Sequence, residues 1–519
     1  MIAWVLTGLG WLWSSSVWDQ VWVERSEGFF PPERRTEREI AQLNGHAPLF
    51  RENDTYYWIY LTREAFLENG DWGKTRLDGL GGSRPVHWSP ILPGIILTSA
   101  KIRATATSDS FLDAIHWAGH WLNPWIGWIG CGLIGWLALI GFRSSHAIFV
   151  LLLLFFHPAL QWVFSPSRLD HHSLQVVVFG IQTVCICIAL ERTNVRRLLA
   201  TGALWGFSSA LGLSLSATPQ LAISGGITFI LFLLVLLHPR SASFLSEKRP
   251  FFLSYAAFGG GFTFVLWLII GSVPWDNADI TVLHPIHAIA IIGSGLFLAG
   301  LSTTGHSRQI HWKYCGAGLL CGIAPILWIL PNPSNGHIWF QSFIPKMHVF
   351  IWDYKGAVSE GDWVNPSLWT SIFLLAVAAL GFRKTSNRFL IATGILFLAL
   401  GLWQQRWLNE AAVVAALALG LCAFRKSTWI VTLAIMGCGF LWLHKWVTIE
   451  QKPGIQFSAD LLLRTLGRDI ALNLEKEASG EPLAVAMVYQ PGFGTPQDSS
   501  PFDSQGLSIP EGLMPESTV

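Results

Sequence analysis

The sequence predicts an all-α polytopic membrane protein with about 13 transmembrane helices. Two observations on composition lead to this fold class. Charged residues make up 13% of the 519 residues and hydrophobic residues 51%, whereas charged residues make up roughly 25% of an average globular chain. The mean hydropathy is +0.44. The third observation is a series of apolar runs of about 17 to 25 residues, the length that crosses a bilayer as a helix.

Composition also excludes several other classes of protein. The 34 Lys and Arg residues nearly balance the 33 Asp and Glu residues, which leaves a formal net charge of +1. Without a basic stripe the chain does not have the charge pattern of a nucleic-acid binder, and its apolar content argues against long disorder. The 7 cysteines lie in or beside apolar runs, without the spacing of a metal site or a disulfide framework.

The apolar runs divide the chain into four parts. Residues 1–22 are predicted to be the first transmembrane helix, because this run lacks the basic start and the cleavage site of a signal peptide. Residues 23–123 are predicted to form a first external loop, with an amphipathic helix on the membrane surface near 107–122. The transmembrane bundle covers 124–447, and 448–519 form a short external C-terminal tail. Within the bundle, spans are predicted near 124–142, 146–163, 173–190, 197–216, 219–238, 251–271, 281–301, 313–330, 367–382, 388–402, 410–424 and 428–447.

Basic residues orient the bundle, because loops rich in Lys and Arg stay in the cytoplasm. Alternate loops carry most of these residues and are predicted to be cytoplasmic, so the opposite loops, which include 164–172 and 331–366, are external. From 124 to 447 no Asp or Glu lies well inside an apolar run, which disfavours an ion-coupled transporter. Chemistry is therefore expected at the external face.

Three acidic residues stand in polar motifs on that face: Asp54 in the first loop, Asp170 directly before His171 and His172, and Glu360 in a late loop. Each carboxylate has an ordinary alternative, solvation in a loop or, for Asp170, capping of the next helix. Asp170 and the two histidines form the most specific motif, because three such side chains are costly to half-bury unless something coordinates them. Further carboxylates would suit Mn²⁺ or Mg²⁺, whereas a site made of histidines would favour zinc.

These motifs, in this order and on one side of the membrane, resemble those of the catalytic subunit of oligosaccharyltransferases and related GT-C glycosyltransferases. The resemblance covers about residues 1–447. It rests on Asp54 with Arg63 and the Leu-Glu-Asn-Gly run that begins at Leu67, on Arg168-Leu169-Asp170-His171-His172 before the fourth span, and on Ala357-Val358-Ser359-Glu360 in the late loop.

The resemblance implies a divalent metal, Mn²⁺ or Mg²⁺, held by Asp54, Asp170, His172 and Glu360. It also implies that Asp54 and Glu360 are catalytic and position the acceptor, and that Arg406 binds the donor phosphate. Arg406 lies close to two tryptophans, so it has an alternative interpretation as an anchor in the headgroup layer.

The sequence departs from the family in its C-terminal part. The enzymes that modify peptides carry a Trp-Trp-Asp-Tyr-Gly motif there, and the tail 448–519 contains no such motif, so asparagine glycosylation is not predicted. His87, Trp88 and His171 are candidates for a sugar pocket, since aromatic faces stack on sugar rings. The alternative for the proline-bounded segment around His87 is a rigid lead into the next helix.

The sequence therefore predicts a metal-dependent glycosyltransferase that moves a sugar or oligosaccharide from a polyprenyl phosphate or diphosphate donor to an external protein, lipid or glycan acceptor. It is expected to be embedded in membrane lipid, in a bacterial inner (plasma) membrane, with its active site on the periplasmic side and no nucleic acid as partner. One alternative is a transporter or flippase that binds a lipid-linked saccharide without turnover. The other is a metal-free polymerase or ligase of surface polysaccharide, which EDTA would not inhibit.

Overall fold

The computed structural model of this chain describes residues 4, 5, 8–12, 55, 57–59, 61–63, 74, 75, 84, 85, 90–142, 144–237, 245, 247–271, 282–302, 311–329, 365–379 and 385–422. The chain divides into two units, Met1–Lys452 and Pro453–Val519. Every described residue lies in the first unit. The predicted span near 428–447 and the predicted tail 448–519 lie outside the described residues.

Helices dominate the described residues. The strands among them are β1 (Lys74–Thr75) and β2 (Arg84–Pro85), which pair in antiparallel fashion. The helices are α1 (Ile91–Thr107), α2 (Phe111–Gly141), α3 (Ser144–Phe156), α4 (Pro158–Val163), α5 (His171–Glu191), α6 (Val195–Leu215), α7 (Ala217–Leu237), α8 (Arg249–Ile270), α9 (Pro285–Leu301), α10 (Trp312–Ile329), α11 (Pro366–Ala379), α12 (Thr385–Trp403) and α13 (Leu408–Cys422). A 3-10 turn, Gln405–Trp407, lies between α12 and α13.

Several of these helices are suited to cross a membrane. Within the described part of the chain, 6 stretches are long and apolar enough, namely Asp113–Gly141, His171–Glu191, Val195–Leu215, Ala217–Leu236, Arg249–Ile270 and Ser386–Trp403. Shorter apolar helical stretches are His146–Phe156, Pro285–Leu301 and Ser367–Ala379. The prediction of a helical multi-pass membrane protein is confirmed, whereas the count of about 13 spans stays a prediction.

The structure corrects the predicted boundary between a surface helix near 107–122 and a span near 124–142. Helix α2 has 31 residues and continues through Pro124. A proline inside a helix has no N–H for the carbonyl four residues earlier, which here belongs to His120. That carbonyl instead accepts the Ser167 N–H at 2.9 Å, so the helix runs on. At 31 residues it is about 46 Å long and exceeds the roughly 30 Å hydrocarbon core.

Helix α1 was not predicted and lies within the expected external loop 23–123. Pro93 and Gly94 stand in its first turn, and several β-branched residues follow, all of which are weak helix formers. Proline is tolerated in a first helical turn. Burial compensates for this weak helix propensity, because α1 packs against α2 and buries Leu92, Ile96 and Ala100.

The predicted span near 146–163 consists of two helices, α3 and α4, that meet at His157. Pro158 occupies the first turn of α4, where its missing N–H costs little. The Ala159 N–H donates to His157 Nδ1 at 3.2 Å, which caps α4, and Ser371 Oγ of α11 lies 3.1 Å from His157 Nε2. The helix is interrupted at this proline because the His157 side chain caps a new helix that starts there.

Helix α13 is the most enclosed part of the bundle that the structure describes. From Ala411 to Ala418 its residues are fully buried, each with 0% exposure. It packs against α3, α5, α11 and α12, and its alanine and valine side chains let these neighbours approach closely. Its first turn contains Glu410, which interacts with His172 at the start of α5 and with Arg406 of the preceding 3-10 turn.

Candidate functional site

The segment between α4 and α5 leads to Asp170, and Asn123 of α2 fixes this segment. The buried Asn123 Nδ2 lies 2.6 Å from the Val163 carbonyl oxygen, 2.7 Å from that of Arg168 and 3.3 Å from that of Ser165. Buried carbonyls without a donor destabilise a fold. One amide therefore satisfies several backbone groups and holds the approach to Asp170 against α2.

Ser167 supplies a second attachment to α2. Its N–H donates to the His120 carbonyl at 2.9 Å, and its hydroxyl forms a short hydrogen bond with His120 Nδ1. Ser167 has φ of 60°, in the left-handed region that residues other than glycine rarely adopt. Thr55 Oγ1, from the first predicted loop, donates to the Leu169 carbonyl at 3.2 Å. The segment is thus held from two directions just before Asp170.

Asp170 is the N-cap of α5, in agreement with its alternative interpretation. Its Oδ1 accepts the His171 N–H at 2.6 Å, and Ser173 Oγ donates to the Asp170 carbonyl at 2.7 Å. The positive end of the helix dipole also favours a carboxylate at this position. Capping uses one carboxylate oxygen, so Oδ2 can still bind another group.

Asp170, His171 and His172 form a cluster in which one ligand atom of each lies within 4.8 Å of the others. Asp170 Oδ2 is 3.6 Å from His172 Nε2, whereas Asp170 Oδ1 is 2.5 Å from His171 Nδ1. Two atoms that bind one ion at about 2.1 Å stand roughly 3.0–3.4 Å apart. Asp170 and His172 therefore have nearly the spacing of two metal ligands, while the contact to His171 is too short to admit an ion.

Neighbouring positive groups control the ionisation of Asp170. Burial raises the pKa of its carboxyl, because the charged form loses its hydration. His171, His172 and Arg168 outweigh this effect and hold the pKa well below its usual range. The carboxylate is therefore ionised at neutral pH, the form that binds a cation.

Gln175 fixes the orientation of His172. The His172 Nδ1 atom lies 3.3 Å from Gln175 Oε1. An amide oxygen only accepts, so Nδ1 carries a proton in this hydrogen bond. Nε2 is the atom that faces Asp170 Oδ2. Metal-binding histidines commonly donate their second N–H to such an oxygen, so Gln175 prepares His172 as a ligand.

Arg406 lies in the 3-10 turn before α13, and aromatic contacts join this turn to α5. Its Cζ is 5.1 Å from the centre of the Trp407 ring, and the Trp407 indole N–H donates to Gln404 Oε1 at 3.3 Å. The Phe397 ring centre lies 5.8 Å from that of Trp407 and 5.0 Å from that of Phe179 on α5. These contacts hold the 3-10 turn that carries Arg406 near α5, the helix that begins with His171 and His172.

Glu410 is a residue of this region that the sequence did not single out. It lies in the first turn of α13 and is 5% exposed. Its carboxylate interacts electrostatically with both His172 and Arg406, and so connects the cluster on α5 with the 3-10 turn. The available signal was a carboxylate at the very start of an apolar run, one helical turn after Arg406.

The other predicted site residues, Asp54, Glu360, His87 and Trp88, lie outside the described residues, and their roles stay predictions. Near Asp54, the structure does place Thr55 against Leu169. It also places the Trp58 ring 5.9 Å from that of His171, in an edge-to-face contact. A part of the first predicted loop therefore reaches the Asp170 motif.

The side chains present fit a divalent cation. Asp170 offers an ionised carboxylate oxygen and His172 offers its Nε2 atom, which would give up its proton on binding an ion. Imidazole nitrogen suits zinc and other transition metals better than Mg²⁺, which prefers oxygen ligands. Asp170 and His172 could contribute two ligands to such an ion, and further ligands would have to come from other segments.

Neither a known family model nor a curated protein sequence matches this chain. Among solved structures, archaeal oligosaccharyltransferase AglB from Archaeoglobus fulgidus, in complex with an inhibitory peptide and a dolichol-phosphate, is similar with a TM-score of 0.56 and 15% identity, over 80% of this chain and 50% of that one. The apo form of the A. fulgidus enzyme gives a TM-score of 0.55 and 13% identity, over 81% and 51%. Its complex with zinc and sulfate gives 0.50 and 14%, over 76% and 49%.

These similarities confirm the resemblance to GT-C oligosaccharyltransferases at the level of the fold. The chain spans about half the length of the solved structures that it matches.

Proposed function

We propose that this chain is a membrane glycosyltransferase that moves a sugar or oligosaccharide from a polyprenyl phosphate or diphosphate to an acceptor on the external side of the membrane. The observation that carries the proposal is the Asp170–His172 pair, with ligand atoms 3.6 Å apart, at the start of a spanning helix in an oligosaccharyltransferase-like fold. The dolichol-phosphate bound to AglB supports a lipid-linked donor.

Asp170 and His172 would hold a divalent cation together with Asp54 and Glu360. An ion bound there would act as a Lewis acid on the lipid phosphate, where negative charge develops as the sugar leaves. The imidazole ligand favours Mn²⁺ over Mg²⁺, and the zinc complex of the A. fulgidus enzyme makes zinc an ion to test. The contact of Thr55 with Leu169 supports a place for the neighbouring Asp54 beside this pair.

Transfer would proceed in one displacement with inversion at the anomeric carbon. The acceptor atom forms a bond to that carbon while the bond from the carbon to the phosphate oxygen breaks, and the electron pair leaves with the phosphate. Arg406 would pair with this phosphate. Asp54 and Glu360 would orient the acceptor, and one of these carboxylates would receive its proton. The inhibitory peptide bound to AglB makes a peptide one acceptor to test, beside lipid and glycan acceptors.

The test compares transfer of radiolabelled sugar from a membrane lipid extract by the wild type and by Asp170→Asn, each with Mn²⁺, with Zn²⁺ and with EDTA. Asp113→Asn is the matched control, because Asp113 is also a carboxylate at the start of a helix but is exposed on α2. We expect label to reach an acceptor with the wild type and Asp113→Asn in the presence of metal. Asp170→Asn or EDTA should lower the rate at least about a hundredfold.

Equal transfer by Asp170→Asn, or transfer that EDTA leaves unchanged, would contradict the metal site and favour a metal-free polymerase or ligase. Binding of the labelled lipid without any covalent product would favour a transporter.

A further inference from the structure

Two buried polar atoms beside Asp170 and His172, the proposed metal-binding residues that are called the metal pair below, have no hydrogen-bond partner among the described residues. They are Gln175 Nε2, a donor, and Glu410 Oε2, an acceptor. Gln175 is 1% exposed and Glu410 is 5% exposed. Native proteins leave few buried polar groups unpaired, because each lost hydrogen bond to water weakens the fold. A donor and an acceptor in the same region therefore point to a ligand group that can pair with both.

The hydrogen bond to His172 fixes the direction of the Gln175 amide. Gln175 Oε1 accepts the His172 Nδ1–H at 3.3 Å, so the Nε2 group of the same amide is turned away from that imidazole. Gln175 is buried on α5, less than one and a half helical turns after Asp170. Its unpaired donor thus lies close to the metal pair without belonging to it.

Glu410 approaches the same region from α13, which packs against α5. His172 and Arg406 are the charged side chains that interact electrostatically with its carboxylate. Arg406 precedes it by one helical turn. Glu410 therefore interacts both with the residue proposed to bind the lipid phosphate and with a residue proposed to bind the metal.

Among the groups of a lipid-linked saccharide and a bound cation, the chemistry of these two side chains favours one. A phosphate oxygen would be repelled by Glu410, a cation would leave the Gln175 donor unpaired, and an isoprenoid chain would pair with neither. A hydroxyl group satisfies both, since its O–H donates to a carboxylate while its oxygen accepts from an amide. Hydroxyls adjoin the reacting phosphate in only one part of a lipid-linked saccharide, the sugar itself.

We propose that Gln175 and Glu410 form a subsite that binds a hydroxyl group of the saccharide on the donor lipid. This inference rests on the proposed function, because it assigns the part of the donor that the metal pair and Arg406 do not bind. The subsite favours donors that carry a sugar over the bare lipid phosphate, which is also the product of transfer. It thereby promotes product release.

The experiment measures binding to two probes from one preparation. The first is the lipid-linked saccharide extract from membranes that contain the protein. The second is the same extract after mild acid hydrolysis, which removes the saccharide and leaves the lipid phosphate. Both compete with a fluorescent polyprenyl phosphate for the wild type, Glu410→Gln and Glu410→Met. The control is Glu191→Gln, because Glu191 lies at the opposite end of α5 and accepts a hydrogen bond from Ser386 Oγ.

We expect Glu410→Met to weaken binding of the saccharide extract at least about tenfold, Glu410→Gln to weaken it less, and both to change binding of the hydrolysed extract less than about twofold. Glu191→Gln should bind both probes like the wild type. A thermal melt of each variant establishes that it is folded, and if Glu410→Met does not fold, Glu410→Gln carries the comparison.

Equal weakening for both probes would overturn the inference and make Glu410 a support for Arg406. No change for either probe would also overturn it. A wild-type chain that binds both probes equally well contradicts the subsite alone, whereas a wild-type chain that binds neither contradicts the proposed function and the subsite together.

Discussion

At the scale of single residues, Asn123 is a positioning residue for the candidate site. Its amide holds the carbonyls of Val163, Ser165 and Arg168. These carbonyls lie in the seven residues before Asp170. A loop held this firmly keeps its last residue in one orientation, so the effect of Asn123 on metal binding would pass through the backbone.

We predict that Asn123→Ala lowers the free energy of unfolding by about 1–3 kcal/mol, because it leaves buried carbonyls without a donor. It should also lower the affinity for Mn²⁺ or Zn²⁺ roughly tenfold to a hundredfold, as loss of supporting groups does at metal sites. Thermal unfolding in detergent and titration of the metal-depleted protein measure the two quantities.

The control for this prediction is Asn194→Ala. Asn194 caps α6 through the Arg197 N–H at 3.2 Å, so its loss should cost about 1 kcal/mol without a change in metal affinity. Metal affinity that falls equally in both variants would show that general destabilisation, and not the position of the loop, decides binding.

The sequence could indicate Asp170 and His172, because adjacent polar residues at the start of an apolar run form a local pattern. It could not indicate Asn123 or Gln175, and for Glu410 it offered only the position of a carboxylate at the start of an apolar run. Each is an ordinary polar residue on a helix, and its role comes from partners or charges that lie elsewhere in the chain, as with the 40 residues between Asn123 and Val163.

At the scale of helices, α6 and α8 pack through glycine. A Cβ added at Gly206 would lie 2.5 Å from the Gly259 nitrogen and 2.8 Å from the Tyr255 carbonyl oxygen. Lipid gives helices little hydrophobic drive to associate, so such close backbone contact supplies much of the attraction between them. The ring of Trp205 stacks on that of Tyr255, with centres 3.6 Å apart, and adds to the same interface.

We predict that Gly206→Ala destabilises the protein by about 1–3 kcal/mol, because the added methyl group must push backbone atoms apart. Gly225→Ala on α7 is the control, since a Cβ there would meet nothing within 4 Å and alanine favours a helix by up to about 1 kcal/mol. The melting temperatures of the two variants in the same detergent measure this difference in stability. Equal melting temperatures would mean that α6 and α8 can separate without cost.

Two prolines show why helix boundaries were harder to predict than helices. Pro124 lies inside α2, whereas Pro158 starts α4 after a break. The residue type is the same, but the carbonyl that Pro124 leaves unpaired finds the Ser167 N–H. At Pro158, where the helix does break, His157 caps the new helix. The outcome depends on a donor from a distant segment in the first case and on a neighbouring side chain in the second.

At the scale of the whole molecule, the proposed orientation agrees with the contacts at the two ends of the helices. The start of α5 and the 3-10 turn after α12 adjoin each other through Glu410, as two external segments should. At the opposite ends, Arg192 donates to the Gly141 carbonyl at 2.7 Å, and Lys248 donates to the Arg192 carbonyl. Basic side chains thus cover the carbonyl ends of helices on the side predicted to be cytoplasmic.

We predict that a membrane-impermeant maleimide labels Thr107→Cys in intact spheroplasts and labels Thr193→Cys only after the membrane is opened. Both residues are exposed, and Thr107 ends α1 on the external side of the predicted topology, whereas Thr193 lies between α5 and α6 on the cytoplasmic side. The unchanged chain gives the background from its own cysteines. Labelling in the reverse pattern would place the Asp170 motif in the cytoplasm and contradict an external active site.

The sequence by itself determined the membrane class, several of the helical spans and the motif that contains Asp170 and His172, and it predicted the orientation of the spans. These features are local: they depend on the length of an apolar run, on charges in short loops and on adjacent polar residues. The tertiary structure alone decided that α2 continues through Pro124, that Asn123 and Gln175 prepare the motif, and that Glu410 joins it to Arg406. Each of these features depends on hydrogen bonds or charge interactions between distant segments. Water is absent from the interior of the bundle, so polar groups there must pair with one another, and their partners are fixed only when the helices pack.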